Sequence, residues 1–536
     1  VALAATVAAA ALARGSAAPG RRAGEAPAGR SPLDVLLVTI DTLRADAPGF
    51  GGRRPSPTPL LDRLAAGGRV FTAAHAHNVV TLPSHTNILT GLYPFQHGVR
   101  DNEGFRLPAG VPTLATVLHA TGYATGAFVG AYPLDSLFGL NRGFDVYDDH
   151  YPKGSNLDQF RFAERKGDRV VAPALAWWQR QRGRRRFLWV HLFDPHAPYE
   201  PAEPWASRFP GNPYLGEVAA ADGYLAPLLE PFLAGAEPQA LIVVTGDHGE
   251  ALGEHGEETH GLFAYEATLH VPLLLWGPGV RPGRDGRPAR HVDIFPTVLE
   301  AAGLTGAAAP AAPPGLARPG RSLLEAGGTV AGAAPERAAE SSYFEALSAT
   351  FNRGWAPLRG VLRQGRKLIA LPLPELYDLP RDPGEDHNLV ASDRPLARSL
   401  LARLPRESAW PPRREPTSTE DANLRSLGYA GGSAPPKLSY GPDDDPKRLI
   451  ALDRQIHTVI DLYQRGRPAE AAVLAGRLVA ARPAMPIGHS LLAEALLQSG
   501  KKLEALAAMR EAQRRGAASD NLLCQLGLTL AELGRP

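Results

Sequence analysis

Asp41, Asp247 and His248 are the side chains in this sequence best suited to hold a divalent cation. Each acid closes an apolar, β-rich run, "DVLLVTID" (34–41) and "QALIVVTGDHGE" (239–250). Such continuous runs read as strands buried on both faces. Carboxylate oxygens and an imidazole nitrogen are donors for a hard or borderline metal ion. A third run, "RRRFLWVHLFDPHAPY" (184–199), carries Asp194 and His196 at its end. Three acids at three strand ends, two with a histidine beside or near them, exceed what surface charge alone explains. Ligands of open α/β sheets bind at the carboxyl ends of strands. Thr81 opens "TLPSH" (81–85) and offers a hydroxyl that becomes a nucleophile when something activates it.

The elements that must position these groups alternate. "TPLLDRLAAGGRVF" (58–71) and "VPTLATVLHATGYATGAFVG" (111–130) each read as helix, glycine stop, strand. "VPLLLWGPGV" adds a further strand. The pattern predicts an α/β fold with a mostly parallel central sheet flanked by helices. "APLRGVLRQGRKLIAL" and "ELYDLPRDPGEDHNL" are short strand-like pieces and predict a small antiparallel subdomain.

The expected organisation is a leader (1–30), a catalytic core (31–335), its C-terminal subdomain (336–400), a linker (401–446) and an all-helical region (447–536). In that last region Gly466, Gly500 and Gly534 recur every 34 residues, as do Leu462, Leu496 and Leu530. The period resembles that of tetratricopeptide repeats, and implies a protein or peptide partner for the repeat face. The chain stops within the third unit, which reads as a piece of a longer array. "TGAAAPAAPPGLARPG" (305–320) reads as a low-complexity loop.

Composition excludes several classes. The 536 residues are 44% hydrophobic and 21% charged, values of a folded protein. Lys plus Arg (57) nearly balances Asp plus Glu (55), without a polybasic run, so no nucleic acid partner is expected. The single cysteine, Cys524, rules out an internal disulfide and is expected to be a buried thiol. The N-terminal Ala/Val/Leu run reads as the remnant of a secretory signal. It implies an exported, periplasmic or cell-surface protein, with membrane association only through that segment.

Several segments in order resemble the sulfatases, within the alkaline phosphatase superfamily. "VLLVTIDTLRAD" is similar to the family's first metal-binding strand, and "TLPSHTNILTGLYPFQHGV" to its nucleophile loop and helix. "HLFDPHAPYEP", "TGDHGEALGEHG", "HVDIFPTVLEAAGL" and "ELYDLPRDPGEDHNL" are similar to later segments. The resemblance covers about residues 33–395. It implies one divalent ion held by Asp41, Thr81, Asp247 and His248, and an anionic ester substrate. Thr42 and His248 stand where the family has a second acid and an asparagine. Fewer oxygens and one more imidazole shift the expected ion from calcium or magnesium towards zinc or manganese.

The resemblance also makes Thr81 the nucleophile. Sulfatases carry Cys or Ser there, oxidised to formylglycine, a conversion not known for threonine. A plain alcohol would leave a stable sulfate ester. Phosphorus allows the ester to be attacked again, and similar superfamily members, the nucleotide phosphodiesterases and lipid A phosphoethanolamine transferases, use threonine. His85 replaces the family's arginine. His196 and His260 match substrate-side positions that could bind the non-bridging oxygens or protonate the leaving group. Ser84 is expected to shape the loop, His97 to cap a helix, and "HAH" (75–77) to lie in solvent. The expected function is hydrolysis or transfer of phosphoester or phosphonate groups. True sulfate ester hydrolysis is the alternative. A degenerate hydrolase serving as a repeat-based scaffold is the reading from another class.

Overall fold

The computed structural model describes residues 33–151, 165–237, 240–305, 317–324, 340–406, 413–414, 434, 437–515 and 520–534. The leader, most of the low-complexity loop and most of the linker expected from the sequence lie outside these residues.

Eight strands form the main sheet: β1 (Asp34–Ile40), β2 (Arg69–Phe71), β4 (Ala124–Val129), β5 (Val146–Asp148), β6 (Arg186–Leu192), β7 (Ala240–Gly246), β8 (Leu273–Trp276) and β9 (Gly283–Asp285). Between them β3 (Ala74–His75) pairs with β10 (Ala289–Arg290). The sheet order is β5-β4-β6-β1-β7-β8-β2-β9. All pairs are parallel except those β8 makes with β7 and β2.

Every residue of β1, β6 and β7 is buried, as their unbroken apolar runs require. Alternate side chains point to opposite faces. Val35, Leu37, Phe187, Trp189, Leu241 and Val243 join the core under helices Thr81–Thr90 and His291–Ala301. Leu36, Val38, Leu188, Val190, Ile242 and Val244 join the core under helices Pro59–Ala66, Gly167–Arg180 and Pro213–Leu233.

Asp222 ties two of these helices together. Its carboxylate accepts from Leu60 N (3.0 Å) and Leu61 N (2.8 Å), donors that a helix start leaves without internal partners. Burial nonetheless pushes this carboxyl up to about 7. The folded state then keeps a proton that the unfolded chain sheds near its ordinary pKa of 3.8. The stability this group contributes is complete below that value and is lost as pH rises through about 7. Asp222→Asn should therefore flatten the fall in denaturation midpoint between about pH 4 and about pH 7. A variant whose fall equals the wild type's would remove Asp222 from the account.

The second sheet is antiparallel: β11 (Ser342–Ala346), β12 (Leu358–Arg363), β13 (Arg366–Ala370) and β14 (Glu375–Asp378), in that order. After it, among the described residues, come helix Arg394–Leu401 and then five more, Pro446–Gln464, Pro468–Ala481, Pro486–Gln498, Lys502–Arg514 and Asp520–Glu532, these five each packed on the next. Gly466, Gly500 and Gly534 follow the first, third and fifth, with φ of 69°, 75° and 62°. A left-handed residue that ends each helix explains why glycine recurs there.

Two expectations need correction. Cys524 is exposed on the fifth helix instead of buried. "HAH" does not lie in solvent. His75 is buried on β3, and His77 is buried with Nδ1 2.7 Å from the Tyr343 carbonyl. Pairing of β3 with β10 and packing under the second sheet cover what looks locally like a polar loop. No helix among the described residues is long and apolar enough to cross a membrane.

Candidate active site

The sheet places β1 between β6 and β7, so Asp41, Asp194 and Asp247 leave its three central strands at the same end. Thr42, at φ 50°, turns the chain, and its N–H donates to Asp247 Oδ1 at 3.2 Å. His248 N donates to the same oxygen at 2.7 Å. Those two bonds fix the carboxylate and leave Asp247 Oδ2 facing inward. Tyr214 anchors the turn, donating to Thr42 O at 2.9 Å and accepting from Arg44 N at 3.0 Å.

Three acceptor atoms converge there. His248 Nε2 lies 3.6 Å from Asp41 Oδ1 and 3.5 Å from Asp247 Oδ2. His248 Nδ1 is 3.0 Å from the Gly249 carbonyl, so it carries the proton and leaves the Nε2 lone pair inward. Asp41 Oδ1, Asp247 Oδ2 and His248 Nε2 are buried and have no hydrogen-bond partner. Acceptors turned on one another in a dry interior need a cation between them. The three residues have the spacing of a metal site, and their oxygen and imidazole donors fit a divalent ion.

The charge states agree. Burial works against an ionised Asp41, yet nearby His191 and the His248 and His196 rings outweigh it and hold its carboxyl well below the usual range. Burial and the Asp41 charge raise Asp247. Burial, then proximity to His260, lowers His248 to about 3. It also lowers His85, His196 and His260, the last to about 4. At neutral pH these rings are uncharged, the form that donates a lone pair to a metal.

Thr81 is the first residue of helix Thr81–Thr90, and its Oγ1 lies 3.4 Å from Asp41 Oδ2. Asn78 and Asn102 shape this helix start. Asn78 Oδ1 accepts from Val79 N and Val80 N, and Asn102 Oδ1 accepts from Leu82 N at 2.7 Å. The positive end of the helix dipole thus points at the group that would meet an anionic ester. Ser84 Oγ donates to Asn78 O at 2.9 Å, so it shapes the loop.

His85 sits one turn into that helix. Its Nδ1 is 2.8 Å from Thr81 O and its Nε2 is 3.0 Å from Thr39 Oγ1, which also accepts from Trp189 Nε1. Both ring nitrogens are therefore engaged by protein groups. That geometry braces the Thr81 turn and departs from the expected place of His85 in the anion site. His85, His191 and Asp247 also have metal-like spacing, but His85 would have to give up one of these bonds to serve.

His196 and His260 meet edge to face, ring centroids 5.0 Å apart, and His260 lies 4.5 Å from the His248 ring. They stand beside His248 in the cluster. Asp194 Oδ1 instead accepts from Gly167 N at 3.2 Å, at the start of helix Gly167–Arg180. His97 is a structural residue, accepting from Val99 N at 3.0 Å and packed against Asn87 Nδ2 at 2.8 Å.

Two site residues escaped the sequence reading. His191, on β6, has Nε2 3.3 Å from Asp41 Oδ2. A lone polar residue inside an apolar strand run was its only signal. Glu250 is fully buried, 3.0 Å from His260 Nδ1, and accepts from Tyr199 OH at 2.9 Å. Burial pushes it up to about 7, against the pull of His196 and Tyr199.

An α/β sheet with a buried acid, imidazole and hydroxyl cluster at its central strand ends defines a hydrolase of the sulfatase fold. The chain belongs to the sulfatase family, whose sequence model matches residues 34–304. It is 24% identical over 433 residues to the "Uncharacterized sulfatase YidJ" of Escherichia coli, covering 67% of this chain and 83% of the relative. It is 27% identical over 434 residues to human arylsulfatase A, with the same coverage. The phosphonate monoester hydrolase of Agrobacterium radiobacter shares the fold, with TM-score 0.55, 20% identity, 72% of this chain and 100% of that one. Relatives of this chain are thus ester hydrolases of both sulfatase and phosphonate monoester hydrolase kind.

Proposed function

We propose that the chain hydrolyses or transfers a phosphoester or phosphonate ester, with Thr81 as nucleophile. The observation that carries this reading is Thr81 itself, a hydroxyl at a helix start aimed at Asp41. The position holds neither Cys nor Ser, and Ser84 is turned away. Asp41, Thr81, Asp247 and His248 are the residues that would hold one divalent ion, zinc or manganese by donor type. Bound there, the ion supplies Lewis acidity, which lowers the hydroxyl pKa of Thr81.

In the first step Thr81 Oγ forms a bond to phosphorus and gives up its proton towards Asp41. The bond from phosphorus to the leaving oxygen breaks, and that oxygen takes a proton relayed through the His260 ring from the buried Glu250 carboxyl, which burial pushes up to about 7. Water, or a second alcohol for transfer, then attacks the phosphothreonine and frees Thr81. His85 acts as a positioning residue for the Thr81 turn. Asp194 belongs to the scaffold, which favours one metal centre.

The test is a panel on the metal-loaded protein: aryl sulfate, phosphate monoester, phosphate diester and phosphonate monoester. Phosphonate or phosphate turnover exceeding sulfate turnover supports the reading. Sulfate turnover that dominates and depends on Thr81 would overturn it in favour of a true sulfatase. The leader composition supports export, and the recurring left-handed glycines support a tetratricopeptide array with a peptide-binding face.

A further inference from the structure

The helix Pro446–Gln464 does not hang from the catalytic domain. Leu449, Ile456, Val459 and Ile460 are buried in the same hydrophobic core as Leu262, Phe263 and Trp355. Asp445, buried at the start of the helix, accepts from Leu373 N at 2.9 Å. Arg353, on the helix Ser348–Arg353, pairs with Asp453 at 2.5 Å.

One face of this helix meets the loop that carries His260. Ile450, Arg454 and His457 follow i, i+4, i+7 spacing and share that face. Arg454 Nε donates to Gly256 O at 3.0 Å. A Cβ built on Gly256 would sit 2.9 Å from Arg454 Nη2 and 3.4 Å from Ile450 Cγ1, so loop and helix touch. From Gly256 the chain reaches Glu257, which holds the turn through Leu262 N (2.7 Å), and then His260. Next along the helix face stands His457. Its Nδ1 faces Asp453, 3.3 Å from Oδ2, while about a third of its side chain (32%) stays open to solvent.

We propose that His457 is a specificity-determining residue of the active site, contributed by the helical region. It presents a positive charge to the leaving-group side of the ester beside His260. The preferred substrate then carries an anionic group on its leaving alcohol. This rests on the proposed ester chemistry of the same site.

The charges of the surroundings support the assignment. The pocket's own imidazoles are neutral, as described above, and Arg44 is committed to Asp46 and Glu254. Burial alone would favour a neutral His457, but the Asp453 hydrogen bond and charge outweigh it and raise its pKa. A charge on His457 also reaches His260, whose pKa it helps to lower.

The experiment compares two leaving groups that differ by one carboxylate. The probes are 4-nitrophenyl phenylphosphonate and its 2-carboxy-4-nitrophenyl counterpart, with the matching pair of aryl sulfates. The wild type should prefer the carboxylate-bearing ester by about tenfold in kcat/KM, mostly through KM. His457→Gln should erase that preference while changing kcat/KM for the uncharged leaving group by less than about twofold, and His457→Lys should restore it. Calorimetric binding of the two phosphonates reads the same ratio without turnover. Equal use and equal binding of both esters by the wild type, binding of neither, or an equal loss on both esters in His457→Gln overturns the proposal. Because the ratio is read within each series, a preference seen only with sulfates retains His457 and discards the phosphoester reading.

Discussion

Thr81→Ala should lose about 10³- to 10⁶-fold in turnover of the best ester in the panel, while keeping its bound metal within about twofold. The alanine removes the only atom that the proposed mechanism joins to phosphorus. Asp41, Asp247 and His248 remain, and they carry the charge and the imidazole of the metal site. Thr81→Ser keeps the hydroxyl and frees one rotor, so it should retain activity within roughly tenfold. Acid quenching of the wild type during turnover should trap a phosphoryl group on the peptide containing Thr81, seen by mass spectrometry. Alanine and wild-type proteins of equal activity would take Thr81 out of the mechanism. A trapped group on Ser84 would move the chemistry three residues along the helix.

The second large effect concerns the metal, and its sign reverses between the metal-free and metal-loaded protein. Without an ion, Asp41 Oδ1, Asp247 Oδ2 and His248 Nε2 face one another with no donor between them. Burial and the Asp41 charge push the Asp247 carboxyl up, so the metal-free fold already favours a neutral group there. Asp247→Asn supplies that neutral group permanently. Its metal-free form should melt at or above the metal-free wild type. The metal-loaded wild type should melt above both, because ligand at 100 times its Kd adds about 2.7 kcal/mol of stability. Metal content of Asp247→Asn should fall below about a tenth of an ion per chain, with activity down by at least about 10³-fold. Scanning calorimetry with elemental analysis reads all three quantities. A metal-free Asp247→Asn protein that melts well below metal-free wild type would show that the carboxylate serves the fold and not an ion.

The chemistry at the strand ends was legible because two signals coincide in one dimension. A continuous apolar run marks a strand buried on both faces, and an acid just after it marks the edge where ligands bind. That reading placed Asp41, Asp247 and His248 without any tertiary information. The 34-residue recurrence of Gly466, Gly500 and Gly534 was legible for the same reason, since a left-handed helix end favours glycine wherever it occurs.

What stayed hidden is contact between segments distant in the chain. His191 belongs to the Asp41 site because β6 pairs beside β1 in a register that sets His191 opposite Thr39. No local pattern records a register. His85 looked like an anion ligand from its place after Thr81. It is instead fastened between Thr81 O and a hydroxyl on β1, a bond across 46 positions of sequence. "HAH" looked solvated because polarity is local, whereas burial is decided by what packs above. The helix that carries His457 meets the loop that carries His260 through Arg454 Nε and Gly256 O, groups 198 positions apart in sequence.

The sequence by itself determined the sulfatase-like α/β class and put forward Asp41, Asp247, His248 and Thr81 as candidate site residues. These follow from residue type and short-range periodicity, which the chain carries locally. Only the tertiary structure decided which histidines face the cluster, which are fastened in the frame, and that helix Pro446–Gln464 packs on the loop leading to His260. Each of those depends on pairing register or on helix docking, and free energies of that kind exist only once distant segments meet.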